Sequence, residues 1–344
     1  METIYAPRPA PDTSGAHAFA SRALPQMVAL NVTTRCNLRC IHCYNDSGGG
    51  PCGDLGREAL LSVAAEVAAL RPFNVCLCGG EPLCRPDILD VIDALCPHVG
   101  RVTMVTNGFA VTKALAEALS AHGLAAVQVS LDGAYAWQHD SLRGVPGAFD
   151  RAQAAIRFFR QAGIPQIMTA ILPSRLTLAS FEDYVRLCIG LGVDAVRSMP
   201  FLPSGRGRTL GRTLMLDAEG YFRWRRQVRN LSDRYGAQIR VEWDDPLGLL
   251  TSMPRRTAEG EPNHAVEIGA DGSLLVSSYL PIVVGDLTRH SLAEYWRGGY
   301  ARIFADPRVT AYVRHIHNVY DLDRLDPLPY GDTQIKFDLL EDTL

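Results

Sequence analysis

Lysine is almost missing from this chain: of the 34 basic residues in 344, only Lys113 and Lys336 are lysines. Against 37 acidic residues the formal net charge is −3. No global positive field is available to hold a polyanion, so a nucleic-acid partner is excluded. The arginine bias accompanies abundant alanine and glycine and reads as base-composition bias without functional content. No apolar run reaches the ~18 residues of a membrane span, and residues 1–25 lack the charged-then-apolar pattern of an export signal. The expectation is a cytoplasmic protein with no membrane partner. Tandem repeats and low-complexity blocks are also missing. Cysteine stops at residue 188, the nine being Cys36, Cys40, Cys43, Cys52, Cys76, Cys78, Cys84, Cys96 and Cys188. A secreted disulfide scaffold would be shorter and would spread its cysteines, whereas clustering points to metal binding or redox chemistry.

What is present is alternation. Strands are expected at 27–34, 73–78, 102–107, 126–131, 167–172 and 195–201, with amphipathic helices at 57–70, 86–95, 111–123, 149–163 and 180–192. This order specifies βαβ units and a parallel sheet whose site lies at the C-terminal ends of the strands. Six strands are too few to close an eight-stranded barrel. The expected fold is therefore α/β, a partial (β/α)6 TIM-like barrel of parallel strands with a small C-terminal α+β extension. The division read from the sequence is an N-terminal arm (1–27), the barrel (28–205), a helical linker region (206–255), a smaller extension (256–300) and a C-terminal tail (301–344). Short strand candidates lie at 239–243 and 265–280, the second turning at Asp271-Gly272, a hairpin signal.

Cys36, Cys40 and Cys43 are spaced C-x3-C-x2-C just after the first strand, in TRCNLRCIHCYN. Three thiolates on one tight loop can grip three irons of a [4Fe–4S] cube and leave the fourth open to a chelating ligand. His42 within the loop and Cys52 beyond it keep a zinc site open on spacing alone. The second element, Cys78-Gly79-Gly80-Glu81-Pro82, follows the next strand after one intervening helix. Its glycines let a ligand approach the backbone, and its glutamate offers an acceptor to a bound ammonium.

Together with VTNG (105–108), VSLDG (129–133), HDSLRG (139–144), GAFD (147–150) and LPSGRG (202–207), these motifs make the chain resemble the radical S-adenosylmethionine (SAM) superfamily through most of residues 28–205. Within it, the pattern resembles the subgroup whose barrels are followed by a SPASM or twitch extension. The resemblance implies one [4Fe–4S] cluster on Cys36, Cys40 and Cys43, with SAM bound at the open iron. Gly79, Gly80 and Glu81 would contact the methionine amino group, Ser130 the ribose, and Asn107 would lie near the cofactor. It further implies an electron donor such as flavodoxin or ferredoxin, and reductive cleavage of SAM to a 5′-deoxyadenosyl radical that takes a hydrogen from the substrate.

The extension keeps the rhythm of a SPASM-like segment, GADGSLLVSSYLPIVVGDLTRHSLAEYW, without its cysteines; Ser277 and Ser278 stand where a ligand would follow the hairpin. Hydroxyls are poor iron–sulfur ligands, so no auxiliary cluster is expected, and a net redox-neutral outcome such as decarboxylation or epimerisation is favoured. Cys76 and Cys78 share a strand face, so Cys78 is a candidate to quench a substrate radical or else a small apolar filler. Cys84 stands near the barrel mouth with the same two readings. Arg197 and Arg206 are candidates to hold a carboxylate by paired hydrogen bonds, and Tyr279 to face the substrate.

The favoured substrate is a small secondary metabolite, a sugar or nucleoside. The general look is similar to radical SAM enzymes of antibiotic biosynthesis, with a lyase of the cytosylglucuronate-decarboxylase type as the specific expectation. The alternatives are a maturase of a ribosomal peptide, disfavoured because the N-terminal arm is short for a leader-binding module, and a non-catalytic iron–sulfur or zinc protein. Replacing Cys36, Cys40 or Cys43 by alanine is expected to abolish both the brown colour and SAM cleavage. Iron in the reconstituted protein should level at about four per chain, one cubane, and a rise toward eight would contradict the single-cluster reading.

Overall fold

The computed structural model describes residues 24–49, 53–324 and 334–342, side chains at 210–212 and 323 excepted; Cys52 lies outside them. In chain order the elements are β1 (Met27–Thr33), α1 (Arg57–Ala69), β2 (Asn74–Gly79), α2 (Ile88–Leu95), β3 (Arg101–Thr106), α3 (Lys113–Ala121), β4 (Ala126–Ser130), α4 (Ala136–Arg143) and α5 (Ala148–Gln161). There follow β5 (Gln166–Ile171), α6 (Phe181–Gly190), β6 (Ala195–Ser198), α7 (Gly207–Leu214), α8 (Ala218–Tyr235), β7 (Arg240–Trp243) and α9 (Pro246–Ala258). The chain continues through β8 (Ala265–Ile268), β9 (Ser273–Leu275), β10 (Ile282–Asp286), α10 (Leu292–Arg297), α11 (Pro307–Val313) and β11 (Ile335–Lys336). All the strands form one sheet, ordered β11-β10-β9-β8-β1-β2-β3-β4-β5-β6-β7.

From β8 through β1 to β7 every pairing is parallel. The parallel run is thus wider than the six strands expected. β7, inside the presumed helical linker, pairs with β6. β8, the first strand of the extension, pairs with β1, so the extension continues the barrel sheet on its near edge. Both are short strand candidates in the sequence, but four residues do not declare which neighbour they pair with. The tail is also built in: β11 pairs with β10, and α11 is a helix led by Pro307 and capped by Asp306.

Strand register sorts the side chains onto two faces. Val28, Leu30, Val75, Leu77, Val102, Met104, Val127, Val129, Ile167 and Val196 occupy one face, all fully buried against the helical layer. The other face carries small and polar residues: Asn31 beside Cys78, Cys76 beside Thr103, Val105 beside Gln128, Ser130 beside Ala170, and Arg197 beside Ala170 and Glu242. A helix cannot bury that face cheaply. It therefore lines the interior of the curved sheet, where a ligand can meet it.

The motif HDSLRG followed by GAFD has a local explanation. α4 ends at Gly144 in the left-handed conformation (φ 74°), and the Asp140 carboxylate accepts from the backbone N–H groups of Gly147 (2.7 Å) and Phe149 (2.8 Å), starting α5. On the far side α8 is anchored by Trp224, which is fully buried, donates to Ser198 Oγ at 2.6 Å and stacks on Phe181 at 4.2 Å. Trp224→Ala should cost about 3–5 kcal/mol, read as a lower urea midpoint; an unchanged midpoint would show that α8 does not depend on this anchor.

Candidate active site

The loop after β1 carries Cys36, Cys40 and Cys43 and has no regular structure of its own, so its shape is imposed by its neighbours. Gly80 N donates to Thr33 O (2.7 Å) and Glu81 N to Arg35 O (2.8 Å). Gly79 sits at φ 117°, where a Cβ would come within 2.5 Å of Thr33 O, and a Cβ on Gly80 would strike Arg35 O. Glycine is required at both positions because the two backbones touch. The loop's far end is clasped by 204–207: Arg206 Nε donates to Cys40 O (2.9 Å), and its Nη1 donates to Ser47 O (2.9 Å) and pairs with Asp46. A Cβ on Gly205 would come within 2.5 Å of Tyr44 O.

Beneath the loop lies a buried ionic cluster. Asp132, 3% exposed, takes both prongs of the Arg143 guanidinium, with Nη2 to Oδ1 at 2.9 Å, and is flanked by His139 and His42. The third guanidinium nitrogen, Nη1, lies 3.6 Å from Cys40 Sγ. Burial opposes ionisation of Asp132, but Arg143, His42 and His139 together outweigh it and hold the carboxyl far below its usual range. Burial pushes the Cys36 thiol up to about 11 and raises Cys40 as well, with Arg143 pulling Cys40 the other way. Binding of a thiolate-seeking metal group therefore has to expel protons from these thiols.

These residues suit a cubane better than zinc. Each of the three thiols feels the charge of the others, so they are neighbours, yet they do not converge within 4.8 Å of one another. A tetrahedral zinc with 2.3 Å bonds needs sulfurs about 3.8 Å apart. His42 is spoken for, with Nδ1 at 3.2 Å from Leu142 O and Nε2 at 3.8 Å from Asp132. Among the described residues the one metal-sized trio, His290, Asp338 and Glu341, already has Arg289 bridging its two carboxylates.

The structure corrects three assignments. Glu81 does not present its carboxylate to a ligand: it is 1% exposed and accepts from Thr106 Oγ1 (2.7 Å), Asn107 N (2.7 Å) and Leu83 N (3.2 Å). What faces the loop is the Gly79-Gly80 backbone, braced by Glu81 from behind. Arg206 is a clasp on the cysteine loop and not a carboxylate holder. Cys84, on a single helical turn (Pro82–Cys84), borders Asn37, Arg35 and Glu81 beside the cysteine loop, away from the sheet interior. Asn107 stays at the loop, donating to Asn37 Oδ1 (2.7 Å) with Cys36 Sγ at 3.8 Å, and Ser130 ends β4 half-buried on the interior face.

The remaining candidates gather inside the sheet. Cys78 lies 3.6 Å from Asn31 Oδ1, on the same strand face as Cys76. Arg197 reaches Gln128 Oε1 (3.3 Å) and is ion-paired with Asp244, just past β7. Tyr279 adjoins Arg197, Asp244 and Glu267, and burial pushes its phenol above the ordinary range. Sequence reading missed Glu267 and Tyr44. Glu267 accepts from Ser278 N and Oγ, both at 2.7 Å, and Tyr44 lies among Cys78, Glu267 and Tyr279. Glu267 was legible only through its place two residues past the start of a strand whose pairing was unknown. The ionic cluster was visible as the motifs VSLDG and HDSLRG, without the pairing that joins them.

Removing one partner of the buried pair strands the other. Arg143→Ala should cost about 3–5 kcal/mol and lower the iron retained by the reconstituted protein. The double change Arg143→Met with Asp132→Leu should recover stability but not iron, checked by denaturation and iron assay; full iron retention would show that Arg143 does not serve Cys40.

Comparison with known proteins agrees with this geometry. Residues 30–188 match the Radical SAM superfamily. The chain is 30% identical over 290 residues to an AdoMet-dependent heme synthase of Methanosarcina barkeri, covering 79% of this chain and 82% of that one. It is 32% identical over 297 residues to a PqqA peptide cyclase of Methylocella silvestris, covering 84% and 76%. With mycofactocin maturase MftC of Mycobacterium tuberculosis it shares 34% identity over 184 residues, 53% of this chain and 46% of the maturase, so it matches about half of that relative. Streptococcus suis SuiB bound to the precursor peptide SuiA has the same fold at a TM-score of 0.66 with 16% identity, covering 86% of this chain and 68% of SuiB. The superfamily uses a [4Fe–4S] cluster and SAM, and the cysteine loop and glycine cradle fit both. A partial parallel barrel that sets three spaced thiols against a bare glycine backbone, matched along most of its length by such relatives, belongs to the radical SAM superfamily.

Proposed function

We propose that this radical SAM enzyme acts on a peptide, held inside the sheet through its hydrogen-bond donors. The carrying observation is the charge of the interior at the strands' C-terminal ends. The Arg197 guanidinium is already neutralised by Asp244, and Glu267 adds a second carboxylate beside Tyr279. Gln128 and Asn31 contribute amide groups. Such a lining attracts amide N–H and ammonium groups and repels a free carboxylate. With Arg197 paired and Arg206 on the cysteine loop, the physical warrant for a glucuronate-type substrate is gone. The relatives named above are named for haem synthesis and peptide maturation, which likewise moves the reading from sugars and nucleosides to peptides.

When bound, the cluster and SAM supply a primary carbon radical able to take a hydrogen from an unactivated C–H bond. The chain's own residues do the rest. Gly79 and Gly80 let the cysteine loop lie directly on the end of β2, Glu81 holds that backbone, and Arg143 and Arg206 fix the loop. The interior aligns one C–H, since orientation is what restrains so reactive a species. Cys78, inside the sheet and 3.6 Å from Asn31 Oδ1, gives a hydrogen atom back to the substrate carbon. The sulfur radical left behind takes an electron and a proton by way of the external electron donor. The substrate's oxidation state is then unchanged, as in an epimerisation.

The test is reconstituted enzyme with SAM and reductant in deuterated water, with peptide and nucleoside panels. A peptide is expected to drive 5′-deoxyadenosine formation and to gain a single deuterium. Cys78→Ala should keep the first and lose the second. Turnover driven by nucleosides but by no peptide would overturn the reading.

A further inference from the structure

On the outer side of β7 the molecule carries a groove with no role in the site described above. A cavity of about 380 Å³ is lined by Tyr221, Phe222, Arg225, Trp243, Asp245 and Tyr320. It shares Thr251 and His317 with a second cavity of about 890 Å³ between α9 and α11, where Arg255 and Arg314 face the space. Three features of this groove are unusual for an idle surface. Phe222 is 67% exposed at its rim, the most exposed large apolar side chain among the described residues. The Trp243 indole N–H is buried with no hydrogen-bond partner among the described residues, a cost that an incoming carbonyl would remove. Its unpaired charge is basic in a chain of net charge −3: Glu259 and Asp321 match Arg255 and His317, and Asp245 caps α9, which leaves Arg225 and Arg314 without a carboxylate partner among the described residues.

The basic character extends along α8. Phe222, Arg225, Arg226 and Arg229 fall at helical spacing on one exposed stripe. Arg225 lies over the Trp243 ring at 5.8 Å, while Arg226 and Arg229 have no carboxylate partner among the described residues. Trp243 points outward from β7, whereas the next residue, Asp244, pairs with Arg197 at the mouth of the interior. Consecutive residues lie 3.8 Å apart along the chain, so groove and interior are separated by little more than the thickness of one strand.

We propose that this groove docks an acidic, extended peptide segment with an apolar residue seated beside Trp243, and so delivers the same chain to the interior. The inference rests on the peptide reading for the identity of its partner. Charge complementarity names the occupant: carboxylates along the arginine stripe, a backbone carbonyl on the indole N–H, and an apolar side chain against Phe222 and Tyr221.

The probe is a fluorescein-labelled dodecapeptide of alternating glutamate and serine with a central leucine, followed by anisotropy with the full chain, beside a control with lysine for glutamate. The acidic probe should bind with an affinity that falls with salt, and the control should not bind. Arg226→Glu with Arg229→Glu should weaken binding about tenfold, and Trp243→Phe should weaken it with the far-ultraviolet spectrum unchanged. Equal binding of the two probes, or binding indifferent to the arginine pair, overturns the proposal. If a peptide is modified but its KM ignores the arginine pair, the groove is not its dock and the peptide reading stands. If the acidic probe binds through the arginines while no peptide is modified, the groove stands and the substrate reading falls.

Discussion

Everything in this site depends on holding an irregular loop still while it carries three thiols. The loop has no helix or strand of its own to hold it, and burial works against ionising its sulfurs. Two guanidinium groups answer both difficulties at Cys40: Arg206 fixes its carbonyl, and Arg143, itself locked to Asp132, stands beside its sulfur. A fixed positive charge next to a thiol favours the thiolate that a metal group requires. The partners come from residues 79–81, 107, 132–143 and 205–207, so the loop is where successive βα units of the barrel are tied together.

Much of this was legible in the sequence because its signals are local. C-x3-C-x2-C, the double glycine and the strand–helix alternation each lie within a dozen residues, and the register of the six long strands follows from their apolar faces. What was lost was pairing across distance. Arg206 reads equally well as a substrate ligand or a clasp until its 166-residue span to Cys40 O is known. Glu81 looks like a ligand group until Thr106 and Asn107 are seen to occupy its oxygens. The pairing of β7 with β6 and of β8 with β1 escaped because a short strand does not declare its neighbour, and α4 escaped because its sequence is polar.

The extension shows how a fold can keep its geometry after changing its chemistry. Ser278 stands where a cluster ligand was expected and hydrogen-bonds Glu267 through both backbone and side chain. The hairpin thereby stays pinned to the strand next to β1, and Tyr279 is set against the interior. The hydroxyl of Ser278 thus serves to hold the turn against Glu267.

One consequence follows from the sheet's having two free margins, β7 and β11, in place of a closed ring. A closed cylinder admits only what fits down its axis, ends first. An incomplete one, as formed by the described residues, sets no such end-on limit. Size of substrate is then limited by what must lie against the reactive carbon, and not by the length of the molecule to which that carbon belongs.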